Sequence, residues 1–309
     1  MALDPDAVRR RIGTPRILLP LLGLVGMALP GTSGAQDPPG TDIWVFGFRE
    51  EASELDLAGG IRATDRAGYD NQPCFLPGGR FVLFTSIDGS GQADIHRFDL
   101  RRGTAEPLTH TSPESEYSAT LTPSGDRMSV IRVEADSTQR LWSFDLEGEN
   151  PTLILEAIEP VGYHAWIDGG RVALFVLGSP ATLQVASVET GEARIMARDI
   201  GRSLHRIPGR ATISFVQWED GQGGVITELD PETGEESILA PVLEGNEFHA
   251  WTPGGVLLTG QGSKLFMWVP GVSPAWEEIA DLASAGVTGI SRIAVSPEGD
   301  RIAVVGVGG

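Results

Sequence analysis

Pro73-Cys74-Phe75-Leu76-Pro77-Gly78-Gly79-Arg80 runs from an extended stretch into a tight turn at Pro77, and the chain makes five more such turns. They are Pro123-Ser124-Gly125-Asp126, Asp168-Gly169-Gly170-Arg171, Pro208-Gly209-Arg210, Pro253-Gly254-Gly255 and Pro297-Glu298-Gly299-Asp300. Their first residues are 46, 45, 40, 45 and 44 positions apart. A repeat of about 40–50 residues, with several short strands in each unit, marks a β-propeller blade.

Each repeat reads alike. An apolar strand follows the turn, as in Phe81-Val82-Leu83-Phe84 or Val172-Ala173-Leu174-Phe175-Val176. A third strand comes next, as in Asp94-Ile95-His96-Arg97-Phe98 or Arg140-Leu141-Trp142-Ser143-Phe144. Gly-bearing turns such as Thr190-Gly191-Glu192 close a hairpin onto a weaker fourth strand. Large side chains two residues before the turn (Phe75, Leu121, Trp166, Trp251 and Val295) are expected between blades.

The last repeat has room for one strand after its turn, Arg301-Ile302-Ala303-Val304-Val305. Near the other end, Thr41 to Phe48 reads as an orphan third strand, and the stretch around Gly60-Ile61-Arg62-Ala63 as a fourth. Joining them completes a sixth blade and removes the sheet edges an open ring would expose. The expected fold is all-β, a six-bladed propeller of four-stranded antiparallel blades spanning residues 36–309 as one domain.

Composition narrows the partners. The 309 residues carry a formal net charge of −19. Arg9, Arg10, Arg11 and Arg16 against Asp4 and Asp6 give the first 35 residues +2, so residues 36–309 carry −21. Such a surface repels phosphate backbones and anionic lipid, which argues against nucleic acid and membrane-surface partners. The single Cys74 leaves no internal disulfide and no Cys-rich metal site. Residues 1–35 read as a Sec-type signal peptide, with a basic start, an apolar Ile17 to Leu29, and Ser33-Gly34-Ala35 before a cleavage that makes Gln36 the first mature residue. Twin-arginine export fits less well, because Ile12-Gly13-Thr14 follows the arginines. A periplasmic or secreted monomer with no membrane insertion after cleavage is expected.

The turn at Pro73 to Arg80, the strand Asp94 to Phe98 leading into Asp99-Leu100, Gly103, and Pro107-Leu108-Thr109 together resemble the TolB-like six-bladed propeller repeat. That repeat sets a Pro-x-Trp-Ser-Pro-Asp-Gly turn before a strand ending in Asp-Leu, a Gly turn and Leu-Thr. The resemblance covers residues 41–306, although Gly or Ser replaces the middle Asp of several turns and Phe, Leu or Val often takes the tryptophan position. It implies an exported or periplasmic propeller that binds proteins, peptides or small ligands.

Polar residues entering the innermost strands form the candidate site: Asp70 and Asn71, Glu116 and Tyr117, Tyr163 and His164, Arg202 and His205, Glu247 and His249. The repeat brings these positions toward one mouth of a central channel, where propellers bind ligands. His164 and His249 stand four residues before their turns and His205 three, so a three-histidine metal site is one reading. The other makes them hydrogen-bonded seams, since His164 shares a strand side with Trp166, and His249 with Trp251. Glu116 and Glu247 could act as acid or base, which leaves a lyase or hydrolase as the alternative function. No Gly-x-Ser-x-Gly elbow, phosphate loop or dinucleotide fingerprint occurs. The expectation is a binding module for a peptide, protein or small polar ligand, without a cofactor.

Overall fold

A computed structural model describes residues 40–219 and 223–308. The expected signal peptide and cleavage point lie outside the described residues. The strands group into six four-stranded antiparallel sheets. Counting from Pro77, blade one is β3 (Tyr69–Phe75), β4 (Phe81–Ile87), β5 (Ala93–Asp99) and β6 (Thr104–Pro107). Blade two is β7 (Ser115–Leu121), β8 (Arg127–Val133), β9 (Gln139–Asp145) and β10 (Thr152–Leu153). Blade three is β11 (Val161–Trp166), β12 (Arg171–Val176), β13 (Thr182–Ser187) and β14 (Ala193–Arg198). Blade four is β15 (Ile200–Arg206), β16 (Ile213–Glu219), β17 (Gly223–Leu229) and β18 (Glu236–Pro241). Blade five is β19 (His249–Trp251), β20 (Leu257–Gln261), β21 (Lys264–Trp268) and β22 (Glu277–Asp281).

Blade six closes the ring as the repeat requires. It is built from β23 (Val287–Val295), β24 (Arg301–Gly308), β1 (Asp42–Arg49) and β2 (Glu54–Arg62), in the order β2-β1-β24-β23. Asp42 lies opposite Gly306, and Gly47 opposite Arg301. The two-residue period of β1 splits its side chains between two seams. Trp44, Phe46 and Phe48 pack with Leu258 and Leu265 of blade five. Ile43 and Val45 pack with Phe75, Val82 and Phe84 of blade one. The fourth strand runs over Glu54–Arg62, so it takes in the expected Gly60-Ile61-Arg62 and begins six residues earlier.

Burial falls from the middle of each blade to its rim. The second strands, FVLFTSI and RMSVIRV, are buried on both faces because a neighbouring blade packs on each. The outermost β6, TAEP, is exposed throughout. Gly78, Gly125, Gly209, Gly255 and Gly299 of the Pro/Gly turns all have positive φ. Blade three, with Asp168 in the proline's place, is turned differently. The Asp168 carboxylate accepts the backbone N–H of Gly170 and of Arg171 at 2.9 Å each. On this face Glu50, just after β1, accepts from the Thr252 hydroxyl (2.7 Å) and the Gly254 N–H (3.2 Å), tying the closing blade to blade five.

Candidate functional site: the axial cluster

The innermost strands of five blades slip register at their entry ends: after Asn71, Tyr117, Val161 and Ile200, and before Arg292. A bulge kinks its strand and re-aims the side chains beside it. Gln72 and Ser118, neither of them glycine, are held at φ 59° and 55° to make two of these bulges. Their partners fix them, since the Gln72 side-chain oxygen accepts from the Ser118 N–H (2.9 Å) and the Thr85 hydroxyl (2.7 Å).

Four side chains at these bulges occupy the same rung. Asn71 opposes Thr85, Tyr117 opposes Ile131, Tyr163 opposes Phe175, and Arg292 opposes Val305. Contacts across the ring bring several of them together with residues of the other blades. Arg292 of blade six donates to the hydroxyl of Tyr163 at 2.9 Å, from a blade three steps away around a ring of six. The Arg292 guanidinium carbon lies 3.8 Å from the ring centroid of Phe248 and 5.0 Å from that of Tyr163. Arg202 lies 5.1 Å from the same Phe248 centroid, and Tyr163 meets Phe248 edge-on at 6.4 Å. These groups span the axis. The hydroxyl of Tyr69, pushed up to about 12 by burial, lies in the field of both arginines and of Tyr163 and Tyr117. All three tyrosines of the chain belong to this cluster.

Glu247 fixes Arg202. Its carboxylate accepts from the side chain of Arg202 and from the Arg202 backbone N–H, the latter at 3.0 Å. Burial pulls the Arg202 guanidinium down, but Glu247, with help from Tyr163 and Tyr69, holds it above its ordinary value. From this pair a cavity of about 850 Å³ opens across blades four to six. Phe248, Ile290, Val242 and Ser291 line it, and Trp218 stands at its outer side. A Cβ on Gly224 would come within 2.6 Å of the Trp218 ring, so this glycine lets the indole lie flat against the strand.

The remaining predicted residues are placed elsewhere. Asp70 and Glu116 are fully buried within their blades. Asp70 is paired with Arg66 at 2.5 Å and accepts from Ser86 at 2.7 Å. Glu116 faces Arg132 at 3.2 Å and accepts from Thr111 at 2.5 Å. Burial pushes the Glu116 carboxyl above its ordinary value, against the pull of Thr111, Thr109 and Arg132.

The histidines stand in seams, and two of them repeat one motif. His164 Nε2 lies 2.7 Å from Ser129 Oγ, which also accepts the Trp166 indole N–H at 2.9 Å. His249 Nε2 lies 2.9 Å from Ser214 Oγ, which accepts the Trp251 indole N–H at 2.8 Å. In both, a His-x-Trp on one blade's first strand clamps a serine on the preceding blade's second strand. The rest of each motif differs. Ser129 gives its proton to the Thr120 carbonyl (3.1 Å), so His164 donates from Nε2 and, among the described residues, its Nδ1 has no partner. His249 has a serine at each ring nitrogen, Ser214 Oγ at Nε2 and Ser203 Oγ 3.1 Å from Nδ1. His205 stacks edge-on against His249 at 4.8 Å, while His164 belongs to another seam. The three therefore do not converge on one point, and among the described residues no group of three His, Cys, Asp or Glu is placed to hold a metal ion. Burial lowers His164 to about 3, His205 to about 4, and His249 well below the ordinary imidazole value.

Arg292 escaped the reading of the sequence, and so did the weight carried by Phe248 and Tyr69. Arg292 stands five residues before the sixth turn, as Tyr163 and Phe248 stand five before theirs, so extending the entry positions to the last repeat would have found it.

A ring of six four-stranded blades with a polar and aromatic cluster at one end of its axis is a six-bladed β-propeller. The chain has the TolB-like form of that fold. It superposes on the structure of a putative TolB from Agrobacterium tumefaciens with a TM-score of 0.66 at 14% identity, covering 86% of this chain and 97% of that one. For TolB from Acinetobacter baumannii the TM-score is 0.56 at 14% identity, covering 87% of this chain and 64% of that one. A chain of the nidogen/laminin complex gives 0.58 at 13% identity, covering 87% and 99%. At these identities the likeness concerns the fold. The sequence matches no family model and no curated protein.

Proposed function

We propose that this protein is an exported binding module that takes a peptide, protein segment or small polar ligand at the mouth of its ring. The observation that carries this reading is the axial cluster. Bulged inner strands turn tyrosines and two arginines toward one end of the axis, where Phe248 leads into β19, beside a cavity of about 850 Å³. Side chains that only cement blades lie in the seams, as His164 and His249 do. Aromatic faces beside cationic donors are the groups that desolvated binding sites favour. The buried positions of Asp70, Asn71 and Glu116 leave Tyr117, Tyr163, Arg202 and Glu247 as the predicted residues best placed to touch a ligand.

The test is a ligand-observed NMR screen with peptide and saccharide mixtures against wild type, Tyr117→Ala and Arg202→Ala. A turn-face control, Arg210→Ala, accompanies them. Binding should fall at least tenfold in the mouth variants and persist in the control, with melting temperatures unchanged. Binding that survives both mouth variants would remove the site from the mouth. The export half is checked separately, by fusing residues 1–40 to a reporter that folds only outside the cytoplasm; an inactive fusion retained inside would overturn it.

A further inference from the structure

Arg292 has an unusual set of neighbours. Among the described residues, the other half-buried arginines reach a carboxylate or a backbone carbonyl. Arg80 meets Asp99, Arg97 meets Glu106, Arg140 meets Glu134, Arg171 meets Asp168 and Arg202 meets Glu247. Arg127 reaches the carbonyls of Ser143 and Asn150, and Arg301 that of Gly79. Among the described residues, Arg292 has only the Tyr163 hydroxyl and two aromatic faces. A guanidinium carries five N–H donors in a planar fork that matches a carboxylate. One donor is used here.

We infer that the axial cluster is a carboxylate receptor in which Arg292 is the unfilled cation and the ligand is a peptide bearing a free carboxylate. This rests on the reading of the mouth as a binding site and names what binds there. Three further observations support it. Two guanidiniums share the ring of Phe248, and Glu247 neutralises only Arg202, so the axis keeps an uncompensated positive charge in an otherwise acidic protein. Phe248, which carries Arg292 on its face, lines the cavity, and so does Ser291, whose buried hydroxyl has no hydrogen-bond partner among the described residues and could take one from a ligand. The cavity runs from Phe248 past Ile290 and Val242 to Trp218, offering an apolar path for the chain behind the carboxylate. A carboxylate held by a desolvated fork gains charge-assisted, bidentate hydrogen bonds that a neutral amide lacks.

The experiment uses the propeller (residues 36–309) immobilised as wild type, Arg292→Gln, Arg292→Lys and the turn-face control Arg210→Ala. Each is challenged with a randomised hexapeptide pool in two forms, one with free C-termini and one C-terminally amidated, both without Asp and Glu. A third pool is amidated but contains Glu, which separates a terminal from a side-chain carboxylate. Bound peptide is read by mass spectrometry, and melting temperature checks each fold. The expected result is at least tenfold greater retention of a carboxylate-bearing pool than of the neutral amidated pool. That preference should vanish in Arg292→Gln, fall partway in Arg292→Lys, and stay in Arg210→Ala. Should Arg292→Gln not fold, the Lys variant decides, since it keeps the charge and loses the fork. Equal retention of acid and neutral pools, with loss in Tyr117→Ala, would overturn the carboxylate inference and leave the mouth as a peptide site. A carboxylate preference unaffected by both Arg292 variants would overturn the role of Arg292. Retention of none of the pools would overturn the peptide ligand, while a saccharide found by the NMR screen would still uphold binding at the mouth.

Discussion

Acidification should unfasten this ring through its buried histidines. His164 and His249 are 7% and 3% exposed, and both are held neutral by desolvation. The unfolded chain takes up a proton near pH 6.5 at each site, whereas the native protein does not until near pH 3 at His164. Stability present at pH 7 is therefore lost as the pH falls below about 6.5, and the loss levels off once the folded value is reached. At pH 5, about 1.5 pH units below the unfolded value, His164 removes about 2 kcal/mol at ~1.4 kcal/mol per unit, and His249 acts in the same direction. The loss at His164 alone is a sizeable part of the 5–15 kcal/mol typical of a folded domain. Glu116 works the other way, because its raised carboxyl gains stability as the pH falls. The clean measurement is therefore a difference between variants. Urea unfolding of wild type and His164→Gln at pH 7, 6 and 5 should show a drop about 2 kcal/mol smaller in the variant, since glutamine can still reach Ser129 but does not titrate. Parallel curves for the two proteins would refute the assignment of His164 as a buried neutral group.

Three other outcomes follow from the same contacts. Ser129→Ala and Ser214→Ala each strand an indole N–H and an imidazole in a seam, and should cost about 1–3 kcal/mol in chemical denaturation, where a cost near zero would deny the clamp. Deleting residues 40–62 removes the buried Ile43, Trp44, Val45, Phe46 and Phe48, each worth about 1.5–3 kcal/mol, so the truncated chain should lose cooperative unfolding or associate through the bared edge of β24. A monomer with an unchanged melting temperature would contradict the shared blade. In Gly201→Ala, a Cβ within 2.7 Å of Glu247 Oε2 should push that carboxylate off Arg202; a crystal structure with the ion pair intact would count against this reading.

The ring was legible because its signals are local and repeated. Pro/Gly turns recur at each blade, and second strands such as Phe81–Ile87 are apolar on both faces. The shared blade could be foreseen because Asp42 to Phe48 reads as a third strand with no first. Its outer partner was harder to place. Glu54–Arg62 lies at a blade rim, where no neighbour imposes an apolar pattern, and two of its residues are glycines. The seam histidines were half legible: strand parity set His164 with Trp166, while Ser129 and Ser214 lie far back in the preceding blade. The axial cluster was the least legible part. It depends on bulges that shift the inner strands of five blades by a residue or more, and a sequence does not display a bulge when Gln72 and Ser118 carry it in place of glycine. The same shifts take Asp70 and Glu116 into the blades and leave Asn71 and Tyr117 on the rung of Tyr163 and Arg292.

The pairing of Asp42 with Gly306 also sets an order of events in the life of the chain. β1 waits for β24, so no nascent chain can finish its ring while β24 remains in the ribosome. Blades one to five are each complete as they emerge, because their four strands are consecutive. The sixth must hold the β1–β2 pair without β24 until that strand has been made, and contacts of such long sequence separation form slowly. A chain crossing a membrane unfolded would meet that requirement without conflict, since β1 and β24 would then become available on the same side at nearly the same time. A message cut short by even one strand would instead yield five sound blades and two bare edges.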